Sequence, residues 1–121
     1  MIKNSQNLGV EGEEIARKYL LKNGYEILET NWRFKKLEID IISKKNDLIV
    51  FVEVKTRSSD VFGDPEIFVT KTKQKFLVAA AHQYLSERNI ALESRFDVIS
   101  VLHKNGQCLV NQLEGAFYPT G

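Results

Sequence analysis

The chain has 121 residues, enough for one domain with a single hydrophobic core. The 17 basic and 16 acidic residues give a net charge of +1, so total charge does not indicate a nucleic-acid-binding protein. The single cysteine excludes an intrachain disulfide, and no segment approaches the ~18 apolar residues of a membrane span. We therefore expect one cytoplasmic domain over residues 1–121, with no membrane association, a short flexible N-terminus at 1–6 and a C-terminal tail at 115–121.

Hydrophobic periodicity in the first half of the chain predicts one helix and then three strands. Apolar residues at helical spacing from Leu8 to Leu20, followed by Gly24, indicate the helix. Its N-cap is expected at Asn4, Ser5 or Asn7. The strands are expected at residues 25–34, 37–44 and 48–57. The third strand is apolar on both faces over its first half, which predicts an interior strand covered on both sides.

The second half of the chain adds one helix and two strands. A loop is expected at 58–69, which contains Gly63 and Pro65, and the second helix at 71–88. A strand at 95–102, the hairpin signal Asn105-Gly106 and a short strand at 108–113 complete the pattern. The order α-β-β-β-α-β-β indicates an α/β (α+β) fold, a mixed central sheet of about five strands flanked by helices.

The second and third strands are expected to form a hairpin that brings acidic side chains together. If Asn46-Asp47 is a two-residue turn, Asp40 falls opposite Glu53, and Glu38 falls opposite Lys55. Because side chains alternate with a period of two, all four then lie on one face of the sheet. A longer loop would shift this register.

Two carboxylates that face each other across a ladder lie ~4.5–5.5 Å apart at Cβ and repel each other. Mg²⁺ prefers oxygen ligands and takes one or two protein carboxylates, so Asp40 and Glu53 are interpreted as ligands of Mg²⁺ or Mn²⁺. Lys55 is interpreted as the group that orients an attacking water or stabilises charge on a phosphate. The alternative is that Glu53 and Lys55 form the solvated end of a strand, although Ile49 and Phe51 make the same face apolar just before them.

Glu13 is a candidate third acid from the first helix. It shares the inward stripe of Ala16 and Leu20, while Gly9 and Gly12 remove side-chain bulk nearby and allow a ligand or strand to approach. The alternative is an ordinary glutamate of the first turn, which the helix dipole favours.

Lysines crowd the start of the second helix, where cations oppose the helix dipole unless an anion binds there. A solvated lysine face is the alternative. The candidate contacts to nucleic acid, here and beside the acidic motif, are Arg33, Lys36, Arg57, Lys73 and Gln74. Asp97 is assigned a structural role, with Arg95 or the sheet edge as its partner.

The residues Asp40 and Glu53-Val54-Lys55 resemble the D…(D/E)xK signature of the restriction-endonuclease-like, or PD-(D/E)xK, superfamily. A wider pattern from about Gly9 to Val101 resembles the bacterial YraN-like family, which is grouped with Holliday junction resolvase-like and predicted endonuclease domains. The pattern comprises Gly9-x-x-Gly12-Glu13-x-x-Ala16, Tyr19-Leu20, Gly24-Tyr25-x-Ile27-Leu28, Asn31-Trp32-Arg33, Glu38-Ile39-Asp40-Ile41-Ile42, Val50-Phe51-Val52-Glu53-Val54-Lys55-x-Arg57 and Arg95-Phe96-Asp97-Val98.

The resemblance implies a restriction-endonuclease-like core and a metal site in which Asp40 and Glu53 are the acidic ligands. It implies Glu13 as the third acid and Lys55 as the lysine of the superfamily. One departure is Leu37, which stands where the family usually has glycine. The implied function is a Mg²⁺- or Mn²⁺-dependent endonuclease that acts on DNA, with branched or single-stranded substrates and a homodimer both possible. The alternatives are a nucleic-acid-binding module of the same fold that does not cut, and a scaffold protein with no nucleic-acid role.

Overall fold

The computed structural model describes residues 5–58 and 69–118, and these residues form two helices and five strands in the predicted order. In chain order the elements are α1 (Ser5–Lys22), β1 (Glu26–Phe34), β2 (Leu37–Lys45), β3 (Leu48–Ser58), α2 (Lys71–Glu87), β4 (Glu93–Lys104) and β5 (Gln107–Phe117). No helix in this part of the chain is long and apolar enough to cross a membrane.

The strands form one mixed sheet in the spatial order β1-β2-β3-β4-β5. Short turns join β1 to β2, β2 to β3 and β4 to β5, and each of these pairs is antiparallel. The chain between β3 and β4 contains α2, and these two strands are parallel, as a crossover connection requires. The fold class predicted from the sequence is therefore confirmed.

The core has two layers, because β3 is buried on both faces. On one face α1 packs against β3, and the buried residues there include Leu20, Val50 and Val52. On the other face α2 packs against β2, and Phe51 and Tyr84 belong to that cluster. Burial of each such side chain stabilises the fold by about 1.5–3 kcal/mol. The predicted interior strand is confirmed.

Several element boundaries differ from the sequence-based expectation. The first helix already begins at Ser5, inside the expected flexible N-terminus, so Asn7 lies within the helix and does not cap it. At the other end, β5 continues to Phe117, past residue 115 where a tail was expected. The ring of Phe117 stacks on that of Phe96 at a centroid distance of 4.9 Å, and this contact keeps the end of β5 on the sheet. Of the predicted loop, residues 59–68 lie outside the described residues.

Asp97 has the structural role expected for it. Its buried carboxylate accepts two hydrogen bonds from Arg95, both of 2.8 Å, and others from the side chain of Gln112 and the N–H of Gly115. Arg95 also donates to the hydroxyl of Tyr25 at 2.9 Å. The network ties β4 to β5 and to the segment after α1, and the Asp97 hydrogen bonds raise the pKa of Arg95. These hydrogen bonds satisfy both oxygens of the buried Asp97 carboxylate, and the network therefore fixes the packing of this end of the sheet.

The close approach of α1 to β3 makes a specific prediction about two glycines. A Cβ at Gly12 would lie 2.0 Å from Oγ1 of Thr56, whereas a Cβ at Gly9 would meet nothing within 4 Å. Gly12→Ala should therefore lower the free energy of unfolding by about 1–3 kcal/mol. Gly9→Ala should raise it by about 0.5–1 kcal/mol, because alanine favours the helix. Urea denaturation followed by circular dichroism measures both; equal effects would contradict the close approach.

Candidate metal centre

The predicted register of the β2–β3 hairpin is confirmed as far as the pair Ile41↔Val52. Beyond that pair a side chain replaces the backbone acceptor: Oδ2 of Asp40 accepts a hydrogen bond of 2.8 Å from the N–H of Val54. Because a strand N–H needs a partner, this bond fixes the position of the Asp40 carboxylate at the end of the ladder. Asp40 and Glu53 are therefore brought together, as the sequence predicted.

The surroundings of Asp40 perturb its carboxyl group strongly. Asp40 is largely buried, and desolvation raises its pKa from the usual 3.8 to about 8, with further contributions from its hydrogen bond to Glu53 and from the Glu53 charge. The N–H of Val54 and the ammonium of Lys73 act in the opposite direction. Two carboxyl groups this close favour a shared proton when no cation compensates them.

Glu53 also has an unsatisfied oxygen. Its side chain is 12% exposed, and Oε2 accepts no hydrogen bond from the described residues. Nζ of Lys73 lies 3.4 Å from this oxygen, which is an ion pair without hydrogen-bond geometry. A buried carboxylate oxygen without a hydrogen bond is a group that a divalent cation would satisfy. The donor set of Asp40 and Glu53 therefore fits Mg²⁺ or Mn²⁺.

Glu13 lies beside Asp40 and not within the close pair. It is half-buried on α1, and it lines with Asn31 and Asp40 a cavity of about 330 Å³. Burial and the Asp40 charge raise the pKa of Glu13, while its hydrogen bond with Asn31 lowers it. The described residues include no group of three or more His, Cys, Asp or Glu side chains that could hold a metal ion. A ligand role for Glu13 stays a prediction.

Asn31 belongs to the site, although the sequence predicted no role for it. Its φ of 51° interrupts the extended conformation of β1. Asparagine tolerates this left-handed conformation better than most residues, which was the available signal. The distortion coincides with its hydrogen bond to Glu13, so Asn31 positions that carboxylate next to Asp40.

Lys55 follows Glu53 by two positions on β3, so both side chains project from the α2 face of the sheet. It is half-buried, and its neighbour on β4 is the buried Ser100. The β2–β3 ladder ends at the pair Ile41↔Val52, so it does not include the predicted pair of Glu38 with Lys55. On its other side, Glu38 is opposite Arg33 of β1 and forms an ion pair of 2.8 Å with it.

The other candidates for nucleic-acid contact fall in three places. Arg33 is exposed and forms an ion pair with Glu38. Lys36 lies in the β1–β2 turn, directly before Leu37, which packs against the α2-side core. Arg57 is half-buried near the end of β3. The basic candidates therefore lie on different elements: β1 and the turn after it, the end of β3, and α2.

Lys73 and Gln74 lie in the first turn of α2, where Thr70 is the N-cap. The Thr70 hydroxyl accepts a hydrogen bond of 3.1 Å from the N–H of Lys73, and the Gln74 side chain donates to the carbonyl of Val69 at 2.8 Å. This cap holds the turn so that the Lys73 side chain reaches Glu53. From the sequence, Lys73 was predicted to contact nucleic acid. Its ion pair with Glu53 was not predicted, because the two residues are 20 positions apart in the chain.

The raised pKa of Asp40 predicts how stability depends on pH in EDTA. A carboxyl whose pKa is higher in the folded state stabilises the fold below its unfolded pKa of about 3.8, and this contribution is lost as the pH rises through about 8. The free energy of unfolding should therefore fall between pH 5 and 8. Asp40→Asn, which keeps the acceptor for Val54, should remove this fall and add about 1–3 kcal/mol at pH 8.

The matched control is Asp47→Asn, the same change at an exposed turn residue, which should leave the slope unchanged. Urea titrations across this pH range provide the measurement. A variant Asp40→Asn that is less stable at pH 8 and keeps the wild-type slope would contradict the shared-proton interpretation.

Comparisons with known proteins place the chain in a family. The family model described as uncharacterised protein family UPF0102 matches residues 12–101. A UPF0102 protein of Flavobacterium psychrophilum is 46% identical over 112 residues, which are 93% of this chain and 94% of the relative. UPF0102 proteins of Parabacteroides distasonis and Syntrophomonas wolfei are 45% and 46% identical, cover 93% of this chain, and are themselves covered over 93% and 99% of their lengths. The chain, whose motifs indicated an uncharacterised YraN-like bacterial family, belongs to the uncharacterised protein family UPF0102.

Proposed function

We propose that this protein is a metal-dependent nuclease that hydrolyses phosphodiester bonds in DNA. The observation that carries the proposal is the pair Asp40 and Glu53: two acids forced together, one with a strongly raised pKa and the other with an unsatisfied oxygen. A fold gains no stability from such a pair unless a cation or a proton compensates it. Mg²⁺ or Mn²⁺ is the compensating cation in this proposal.

Each residue of the site has a defined task. Asp40 and Glu53 would hold the ion, which when bound supplies neutralisation of developing charge on the phosphate and a more acidic water. Asp40 must lose its proton before it can act as a ligand. Lys55, on the same face as Glu53, orients the attacking water or holds a phosphate oxygen. Glu13, next to Asp40, would be the third acid of the metal site.

A second candidate function is a nucleic-acid-binding module of the same fold that does not cut. The observation in its favour is the ion pair of Lys73 with Glu53, which already compensates part of the acidic charge. If this function is correct, nucleic-acid binding should fall with salt and should not change on addition of EDTA.

The decisive experiment is cleavage with Mn²⁺ of branched and single-stranded DNA. Glu53→Gln should lower the rate at least 100-fold, because the neutral amide is a poor ligand, and Lys55→Met should lower it about 10²–10³-fold. Glu26→Gln, the same change at an exposed position of β1, is the control and should cleave at the wild-type rate. Cleavage that survives Glu53→Gln in a folded protein would remove Glu53 from the mechanism.

The ion pair of Lys73 predicts competition with the metal. Because the ammonium lies 3.4 Å from Oε2 of Glu53, Lys73→Met should tighten Mn²⁺ binding. The Lys73 side chain is 49% exposed, so solvent screening limits the expected change in Kd to about 2- to 5-fold. Isothermal titration calorimetry at pH 8 measures it, with Lys71→Met as the matched lysine control. Weaker Mn²⁺ binding in Lys73→Met would show that Lys73 supports the metal site.

A further inference from the structure

A groove of about 420 Å³ runs along the solvent side of α2 and reaches the end of β5. Its lining residues on α2 recur at helical spacing, next to the buried stripe that contains Leu77 and Tyr84 and outside it. The lining residues are Lys71, Gln74, Lys75, Val78, Ala79 and His82 of α2, and Tyr118, which follows β5. The acidic pair is not part of this groove. Val78 also packs against the edge of the α2-side core, and the proposed chemistry uses none of the lining side chains.

The lining combines positive charge with apolar and aromatic surface. Lys71 and Lys75 are exposed and form no ion pair within the described ranges 5–58 and 69–118. No aspartate or glutamate is among the described lining residues. Val78 and Ala79 provide apolar surface, and Tyr118 is 72% exposed. A ligand that fits this surface has both repeated negative charge and flat apolar groups.

Tyr118 directly follows the end of β5, which packs against the sheet. Phe117 before it is buried against Phe96. Gly115 has a φ of +61°, which favours glycine, and its missing Cβ leaves space for the Tyr118 hydroxyl, which would lie 2.9 Å from a Cβ there. Tyr118 lines the groove beside α2, and its largely exposed aromatic ring is available for stacking.

The groove leads to the candidate metal centre through the first turn of α2. Gln74 lines the groove, and the adjacent Lys73 pairs with Glu53. From Lys71 to His82 the helix rises ~16 Å, the length of a few nucleotides of an extended strand. A strand that lies in the groove with its phosphates near the lysines would reach the first turn of α2, from which Lys73 contacts Glu53.

We propose that this groove binds a segment of single-stranded nucleic acid, with its phosphates on Lys71 and Lys75 and a base stacked on Tyr118. A single strand fits better than a duplex, because only unpaired bases present their faces to an aromatic side chain. The binding itself needs no metal. The direction of the strand towards Asp40 and Glu53 rests on the proposed nuclease function.

The test measures fluorescence anisotropy of a labelled oligothymidine in EDTA at low salt. Tyr118→Ala and Lys75→Gln should each raise Kd about 5-fold or more, since base stacking and a phosphate contact are lost. Tyr118→Phe keeps the ring and should bind within 2-fold of wild type. Lys22→Gln removes the same charge from an exposed lysine at the end of α1, on the other side of the sheet, and is the matched control. A blunt duplex of the same length should bind more weakly than the single strand.

The following results would contradict the proposal that the groove binds a single strand. Equal effects of Lys75→Gln and Lys22→Gln would show that only overall charge attracts the strand. An unchanged Kd in folded Tyr118→Ala, tighter binding of the duplex, or equally effective competition by polyglutamate would exclude a base-stacking site. The two proposals fail separately: groove-dependent binding without Mn²⁺-dependent cleavage would leave the groove and remove the nuclease. Cleavage of single strands that is undiminished in Tyr118→Ala would leave the nuclease and remove the groove as its binding site.

Discussion

The site depends on one hydrogen bond, from the N–H of Val54 to the carboxylate of Asp40. Where the backbone ladder between β2 and β3 ends, this side chain takes the place of a carbonyl oxygen. The bond holds one carboxylate against Glu53, although repulsion and desolvation both oppose that arrangement. The unfavourable energy is concentrated at two acids, where a cation of suitable charge has the largest effect.

The remainder of the sheet gives these acids a rigid frame. The central strand β3 is covered by α1 on one face and by α2 on the other, so Glu53 cannot move away without disturbing both core layers. The Asp97 network fixes the far side of the sheet by tying β4 to β5. A strained pair of charges persists only when its surroundings determine its geometry in this way.

The second helix contributes in three directions. Its inner stripe, which includes Leu77 and Tyr84, fills one core layer. Its first turn, fixed by the Thr70 cap, places Lys73 next to Glu53. Its outer side forms the basic groove that ends at Tyr118. One helix thus links the hydrophobic core, the electrostatics of the acidic pair and the surface proposed to receive a single strand.

The sequence by itself determined the order of elements, the interior position of β3 and the meeting of Asp40 with Glu53. These follow from local rules, because periodicity sets the elements and a two-residue turn sets the register of a hairpin. Only the tertiary structure decided that Lys73 pairs with Glu53 and that Glu13 lies beside Asp40 and Asn31. Those contacts join residues of different elements, and their geometry depends on how the helices pack on the sheet. The spacing of side chains along the chain does not determine that packing.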